Sequence, residues 1–378
     1  MKVPSPLARF WAVLMKEFIQ MRRDRLTFAM MIGIPIIQLV LFGFAVNADP
    51  KQLPTAVIAG EASPFSRSLL HAIENSGYFK IDRRAKNEAD ADGLLARGDV
   101  QFVVTIPADF SRKLMRGEKP TILVEADATD PVATGNALAA LGGIAESALK
   151  RDLVGPLARL KPGEPGFDIR VHRRYNPEGI TQYNIVPGLI GTILTMTMVI
   201  MTSLGMTRER ERGTMENLLA TPVRPAEVML GKIVPYIFMG YVQVTVIMLA
   251  ARYLFDVPIL GSLWLLSLGL VVFITANLAV GFTFSTAAAN QLQAMQMAFF
   301  FFLPSILLSG FMFPFRGMPQ WAQWLGEVLP LTHFLRIVRG ILLKANGWAE
   351  TWPELWPLLA FTAAAMALAM ARYRRTVD

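Results

Sequence analysis

The sequence predicts an α-helical polytopic membrane protein, with six transmembrane helices and an α/β domain inserted after the first. Three observations carry this. Of 378 residues, 53% are apolar and only 17% are charged, against about 25% charged in an average globular chain. Charges are missing from a series of runs long enough to cross a bilayer. The chain between the first two runs, in contrast, has the composition of a soluble domain.

Leu26 to Val46 is uncharged over 21 residues, about 30 Å of helix and so the thickness of the hydrocarbon layer. Gly179 to Thr207 and Ile233 to Ala251 follow. Val257 to Phe315 is a single uncharged stretch of 59 residues, too long for one span. The polar knot Ser285-Thr286 and Asn290-Gln291 divides it into two helices. Leu355 to Ala371 is the last run. The first run exceeds the apolar core of a signal peptide, so it is read as an uncleaved span at 26–46.

Six spans place both termini on one face. Thirteen basic residues lie there: Lys2, Arg9, Lys16, Arg22, Arg23 and Arg25 before the first span, Arg208, Arg210, Arg212 and Arg224 after the second, and Arg372, Arg374 and Arg375 in the tail. An excess of Lys and Arg marks the cytoplasmic side. Arg316, Arg336, Arg339 and Lys344 strain the rule, because they fall on the opposite face. Residues 1–25 read as a cytoplasmic amphipathic connecting helix. Leu7, Phe10, Trp11, Leu14, Phe18 and Met21 form its apolar stripe, which suits either a membrane surface or a protein neighbour.

Residues 47–180 form the soluble domain, with 18 basic and 18 acidic residues from Asp49 to Glu178. Short β-type runs occur at Thr55–Ala59, Tyr78–Asp82, Val100–Ile106, Thr121–Glu125 and Asp168–Tyr175. Helical patterns lie between them: one marked by Phe65, Leu69, Leu70 and Ile73, one from Pro107 to Gly117, and one from Asn136 to Leu153. Strands alternating with helices predict an α/β domain. Pro156 to Pro165 reads as a linker. Nothing in the domain suggests catalysis, and docking or gating is its expected role.

Several chemistries are excluded or disfavoured. The chain has no cysteine, hence no disulfide or thiolate site. Gly231-Lys232 is followed by Ile233 and no P-loop pattern occurs. His71, His172 and His333 are too far apart to suggest a zinc site. Spans one to four and the last have no clear mid-membrane charge of the kind a proton relay needs.

The segment at 207–222, T-R-E-R-E-R-G-T-M-E-N-L-L-A-T-P, is densely charged and rich in helix formers. Met215, Leu218 and Leu219 give it an apolar edge, and Thr221, Pro222 and Pro225 stop it. It suits a helix docked in a soluble partner's groove; composition alone favours a solvated loop that keeps the topology.

These residues carry a resemblance. R-E-R-E-R-G-T-M-E-N-L-L-A-T-P-V at Arg208–Val223 resembles the cytoplasmic coupling segment of bacterial ABC type-2 permeases. I-P-A-D-F-S-R-K-L at Ile106–Leu114 and Y-N-P at Tyr175–Pro177 are similar to signatures in and after their extracytoplasmic domain. L-P-S-I-L-L-S-G-F-M-F-P at Leu303–Pro314, G-M-P at Gly317–Pro319 and L-P-L-T-H-F at Leu329–Phe334 are similar to their sequence around the end of the fifth span. The motifs run in order from Leu14 to Arg375, and the branch with this inserted domain is similar to the paired permeases of drug-efflux systems.

The resemblance implies a permease subunit in the bacterial inner membrane, with cytoplasmic termini and residues 47–180 outside. It implies a dimer with a second copy or paralogue, and two copies of a separate ABC ATPase that holds ATP and Mg. This chain itself would carry no cofactor, metal or catalytic residue. Membrane lipid and a periplasmic adaptor are further expected partners; nucleic acid is not. Arg208, Glu209, Glu211, Gly213, Thr214 and Glu216 match the coupling helix. The resemblance also makes 313–346 a re-entrant helical pair, which brings Arg336 and Arg339 near the outer surface, within reach of water or Glu327.

In this family the substrate route lies between the second and fifth spans. Thr195, Met198 and Thr202 share one helical face, and so do Gln293, Gln296 and Phe300. The same spacing also suits packing between helices. The expected activity is ATP-driven export of amphipathic drugs. A lipid or glycan exporter, or a non-transporting assembly or sensory protein, are the alternatives.

Overall fold

A computed structural model describes residues 49–150, 152–153, 166–212 and 225–372, with only the backbone given at 210 and 225–233. The connecting helix at 1–25, the first span at 26–46 and the linker at 156–165 lie outside the described residues.

The inserted domain contains β1 (Leu53–Ala59), α1 (Pro64–Asn75), β2 (Phe79–Arg84), α2 (Glu88–Arg97), β3 (Phe102–Ile106), α3 (Phe110–Met115), β4 (Thr121–Asp127), α4 (Pro131–Ser147) and β5 (Asp168–Arg174). The strands form one sheet in the order β2-β1-β3-β4-β5. β1 is parallel to β2 and β3, β3 is antiparallel to β4, and β4 is parallel to β5.

Alternation along each strand sends side chains to both faces. Val57 and Val104 point into a core with Leu69, Ile73, Phe110, Leu141 and Ile144. Their neighbours Ala56 and Val103 pack instead against Ala91, Leu94 and Leu95 of α2. Helices thus cover both faces. The rings of Phe79 and Phe102 meet edge-on at 4.9 Å between centroids.

The five strands fall where the sequence places them, with ends shifted by a few residues. Helix α2 is an addition: its apolar stripe is only Ala91, Leu94 and Leu95, too narrow for periodicity to show. Its caps are the readable signal. Asn87 accepts from the Asp90 amide, and Gly98 closes the helix with φ +76°, a conformation that favours glycine.

At the ends of β1 and β3, Glu61 fills the space over the start of α3. Its carboxylate accepts from the Ser111 amide at 3.2 Å and from the hydroxyls of Ser111 and Ser63. Burial acts to raise its pKa, but the bonds from Ser111 and Ser63 outweigh it and hold it below the usual glutamate value. A lowered folded-state pKa gives stability that is fully present above the unfolded value of about 4.3 and is lost as pH falls through the folded value. Glu61→Gln is therefore expected to flatten the loss of domain stability between about pH 5 and pH 3. Thermal unfolding of the full chain across that range checks it; an unchanged slope would remove Glu61 from the account.

The apolar part contains α5 (Thr181–Glu211), α6 (Pro225–Leu254), α7 (Leu263–Ala287), α8 (Gln291–Leu308), α9 (Gln320–Val328), α10 (Pro330–Lys344) and α11 (Trp348–Arg372). Five of these (α5, α6, α7, α8 and α11) are long and apolar enough to span a membrane. The break between α7 and α8 falls on the polar knot: Asn290 caps α8 by accepting from the Gln293 amide at 2.9 Å, and the Gln293 side chain accepts from the Ala289 amide at 2.8 Å.

Helix α5 packs against α7, α8 and α10, and α7 against α11. A Cβ on Gly281 would lie 2.8 Å from Thr202 Cβ and 2.9 Å from the Val199 carbonyl, so only glycine lets α5 and α7 come this close. The helices alternate in direction. The start of α5 and the end of α8 lie at the domain end of the bundle; the end of α5 and the start of α8 lie at the far end.

Between α8 and α11, the segment expected as a re-entrant pair folds as α9 and α10, of 9 and 15 residues, joined at Leu329. Residues of L-P-L-T-H-F have legible structural tasks here. Leu329 ends α9 and caps α10. Pro330 opens α10, where its missing N–H costs nothing. Thr332 donates to the Gly326 carbonyl at 2.6 Å. Phe334 stacks on Phe273 of α7 at 4.0 Å.

Trp264, Trp321, Trp324, Trp348, Trp352 and Trp356 are all exposed. They sit on α9 and near the domain ends of α7 and α11. Amphipathic indole rings at this level mark a membrane–water interface.

Candidate functional site at the two ends of the bundle

At the far end, α5 runs on without a break into the charged segment. Arg208, Glu209 and Glu211 occupy its last turns, whereas Gly213, Thr214 and Glu216 lie outside the described residues. The Glu211 carboxylate accepts from the Gln291 backbone amide at 2.8 Å and also from its side-chain amide. An acid at a helix start meets unpaired N–H groups and the positive end of the dipole. Glu211 thus ties the tail of α5 to the first residue of α8.

The residues expected along the route do not come together on one open surface. Thr195, Met198 and Thr202 are buried, and Thr195 donates to the Gly191 carbonyl of its own helix. Gln293 is spent on the cap described above. Gln296 is partly buried. Phe300 is exposed, with Leu292 and Met295 also exposed on α8.

At the domain end, the inserted domain is held against the α9–α10 segment. Lys344, the last residue of α10, forms an ion pair with Asp127 of β4 and donates to the Leu95 carbonyl at 3.1 Å. Both side chains of the pair are under 10% exposed. The ammonium also lies 5.1 Å from the ring centre of Tyr175, whose phenol is pushed up to about 12 by burial and then by Asp127. Asn346 donates to the Ala96 carbonyl at 3.1 Å and Arg316 to the Gly98 carbonyl at 3.3 Å. The C-terminal carbonyls of α2 therefore receive three donors from the apolar part, two of them cationic, which suits the negative end of that helix.

Next to this seam, Arg336 grips Glu327 with two bonds, of 2.6 and 3.0 Å, and also reaches Glu354 of α11 at 3.2 Å. His333 joins the same cluster. Its Nε2 lies 2.8 Å from the Glu327 carbonyl, which can only accept, and its Nδ1 lies 2.6 Å from Glu354.

Arg336 reaches Glu327 as expected. Arg339 does not: its Nη1 donates to the Gly310 carbonyl at 3.1 Å. The four basic residues that strain the charge rule are thus all engaged at or beside the seam. Asp127, Asn346 and Glu354 hold the seam and the cluster beside it and were not singled out in the sequence; for Asp127 and Glu354 the anomalous cations were the signal that acceptors had to be near.

The chain matches the family model for ABC-2 family transporter proteins over residues 25–371. It is an ABC-2 family member. Two curated relatives from Escherichia coli K12 are named as probable multidrug ABC transporter permeases. YbhS is 30% identical over 345 residues, covering 89% of each chain. YbhR is 30% identical over 369 residues, covering 98% of this chain and 99% of its own. The inner membrane transport permease YhhJ, from the same strain, is 28% identical over 364 residues, covering 90% of this chain and 93% of its own. No solved structure matches. The ABC-2 chain is accordingly a multi-pass membrane subunit of an ABC transporter, in a family that pairs with an ABC ATPase.

Proposed function

We propose that the chain is the permease subunit of an ATP-driven exporter that moves amphipathic small molecules, including drugs, out of the cytoplasm or inner leaflet. The observation that carries this reading is α5. It is one helix of 31 residues, about 46 Å long, that starts beside the inserted domain and ends in the charged segment tied to α8 by Glu211. Closure of an ATPase dimer docked on Arg208, Glu209, Glu211, Gly213, Thr214 and Glu216 would tilt α5 and carry α8 with it. Alternating charge fixes the orientation of such a docked segment.

Two permease copies would work with two copies of the ATPase, which alone binds ATP and Mg. The exposed Leu292, Met295 and Phe300 face of α8 is assigned to the axis between the copies, with Phe300 and Gln296 along the route. Thr195, Met198 and Thr202 support that helix pair from behind. A periplasmic adaptor would meet the inserted domain.

The far end is assigned to the cytoplasm, because Arg208, Arg210, Arg212 and Arg372 gather there. With no native cysteine, Lys80→Cys on the exposed edge of β2 tests the orientation. An impermeant maleimide added to intact spheroplasts is expected to label it. Labelling only after the membrane is opened would reverse the topology and, with it, the direction of transport.

A further inference from the structure

Between the inserted domain and the α9–α10 segment lies a cavity of about 300 Å³. Gln101, Asp127 and Asp130 line it from the domain, and Arg339, Asn346 and Thr351 from the apolar part. Among the described residues, nine buried side-chain polar atoms have no hydrogen-bond partner. Five of the nine belong to four residues of this one cavity: Gln101 Oε1, Arg339 Nε and Nη2, Asn346 Oδ1 and Thr351 Oγ1. Thr351 is 3% exposed. Buried polar groups are normally paired, so this concentration of unpaired donors and acceptors marks a place built to hold something polar.

The charges define what it is. Most of the lining ions are already matched: Lys344 with Asp127, Arg336 with Glu327 and Glu354, and Arg97 with Asp99. Charges of both signs remain without an ion pair. Arg339 and Arg316, which donates to the Gly98 carbonyl, are on one side; on the other are Asp130, which caps α4, and Glu350, which accepts from the Gly347 amide. A simple anion would meet the two carboxylates, and a simple cation would meet the two guanidinium groups. Of these, only Arg339 has buried nitrogens without a partner: its Nε and Nη2 form one edge of the guanidinium, the geometry that takes two oxygens of a phosphate or carboxylate. The amide oxygens of Gln101 and Asn346 can only accept, so the rest of the ligand must donate.

The depth of the cavity identifies the source. Thr351 shares the first turns of α11 with the exposed Trp348 and Trp352, and Trp321 and Trp324 lie exposed on α9 nearby. Those rings mark the headgroup level of the bilayer. We propose that the cavity binds a zwitterionic lipid headgroup, a phosphate joined to a primary ammonium, with the phosphate on Arg339 and the ammonium facing Gln101, Asn346 and Asp130. The site is separate from the transport route and stands whether or not the chain exports drugs.

The test uses the full chain purified in detergent and titrated with phosphatidylethanolamine, phosphatidylcholine or phosphatidylglycerol, with bound lipid counted by native mass spectrometry. Phosphatidylcholine keeps the phosphate but has no N–H; phosphatidylglycerol keeps the phosphate but has no ammonium. Phosphatidylethanolamine is expected to be retained about tenfold more tightly than either, the scale of one or two charge-assisted hydrogen bonds. The preference should vanish in Thr351→Val and in Gln101→Leu, two neutral changes on opposite sides of the cavity. Soluble phosphoethanolamine is the second probe: failure to compete assigns the site to the membrane lipid, whereas competition at equal concentration assigns the same chemistry to a free zwitterion and overturns the lipid source. Equal retention of all three lipids, unaltered by either variant, would mean that the cavity holds water only and would overturn the proposal.

Discussion

Lys344→Met is expected to loosen the inserted domain from the bundle more than any other single change at the seam. It removes the ammonium but leaves the Asp127 carboxylate buried, together with the Leu95 carbonyl that shared the same donor. Breaking a buried ion pair from one side costs about 3–5 kcal/mol, and here the remaining carboxylate keeps only the Thr129 amide and hydroxyl as donors in place of its counter-ion. The apolar part of the methionine side chain still fills the site, so the loss reports charge and not volume. Asp127→Asn should cost less, because the stranded ammonium keeps the Leu95 carbonyl and an amide oxygen as acceptors. The double variant, Lys344→Met with Asp127→Asn, should recover much of the single-variant loss, a coupling that only direct partners show. Limited proteolysis of the domain alongside thermal unfolding of the purified chain measures both. Additive losses would mean that the two side chains act independently.

The second large effect is expected at the other end. Glu211→Lys breaks both bonds to Gln291 and puts a cation against the start of α8. If α5 carries α8 with it, transport should fall about 5-fold or more, the range of ordinary coupling energies, while the partner ATPase continues to hydrolyse ATP. Adding Gln291→Glu replaces the carboxylate–amide bonds with an ion pair across the same contact. That arrangement suits both helices, since the acid now sits at the start of α8 and the base at the end of α5. Transport should return with it. Were transport equally low in the single and double variants, the tie would be irrelevant to coupling and Glu211 would act only on the ATPase.

Much of the fold was legible because local pattern and tertiary position agree. The β-type runs such as Val100–Ile106 are strands whose alternate residues serve two cores, and the polar knot at 285–291 breaks a long apolar stretch because Asn290 and Gln293 cap a helix. The Asn290-x-x-Gln293 spacing was itself a readable capping signal, and it competes with the reading of Gln293 as part of a route. Thr195, Met198 and Thr202 show the limit of periodicity. Three- and four-residue spacing identifies a face, but whether that face meets a ligand or a neighbouring helix depends on partners elsewhere in the chain.

The seam was out of reach for a related reason. Lys344 and Asp127 are 217 residues apart, and no local pattern connects the end of one helix to a strand in another domain. Only the misplaced cations hinted at it. Arg316, Arg336, Arg339 and Lys344 looked like a breach of the charge rule; they are better understood as donors held by named acceptors.

The most direct measurement of the central claim is transport itself. The chain is co-reconstituted with its ABC ATPase into liposomes that carry a fluorescent amphipathic cation, and ATP is supplied on the face where Arg208 and Arg212 lie. The account predicts ATP-dependent movement of the dye away from that face, lost when the ATPase is catalytically inactive and reduced by Glu211→Lys. ATP hydrolysis by a stable complex with no movement of any amphipathic compound tested would contradict it.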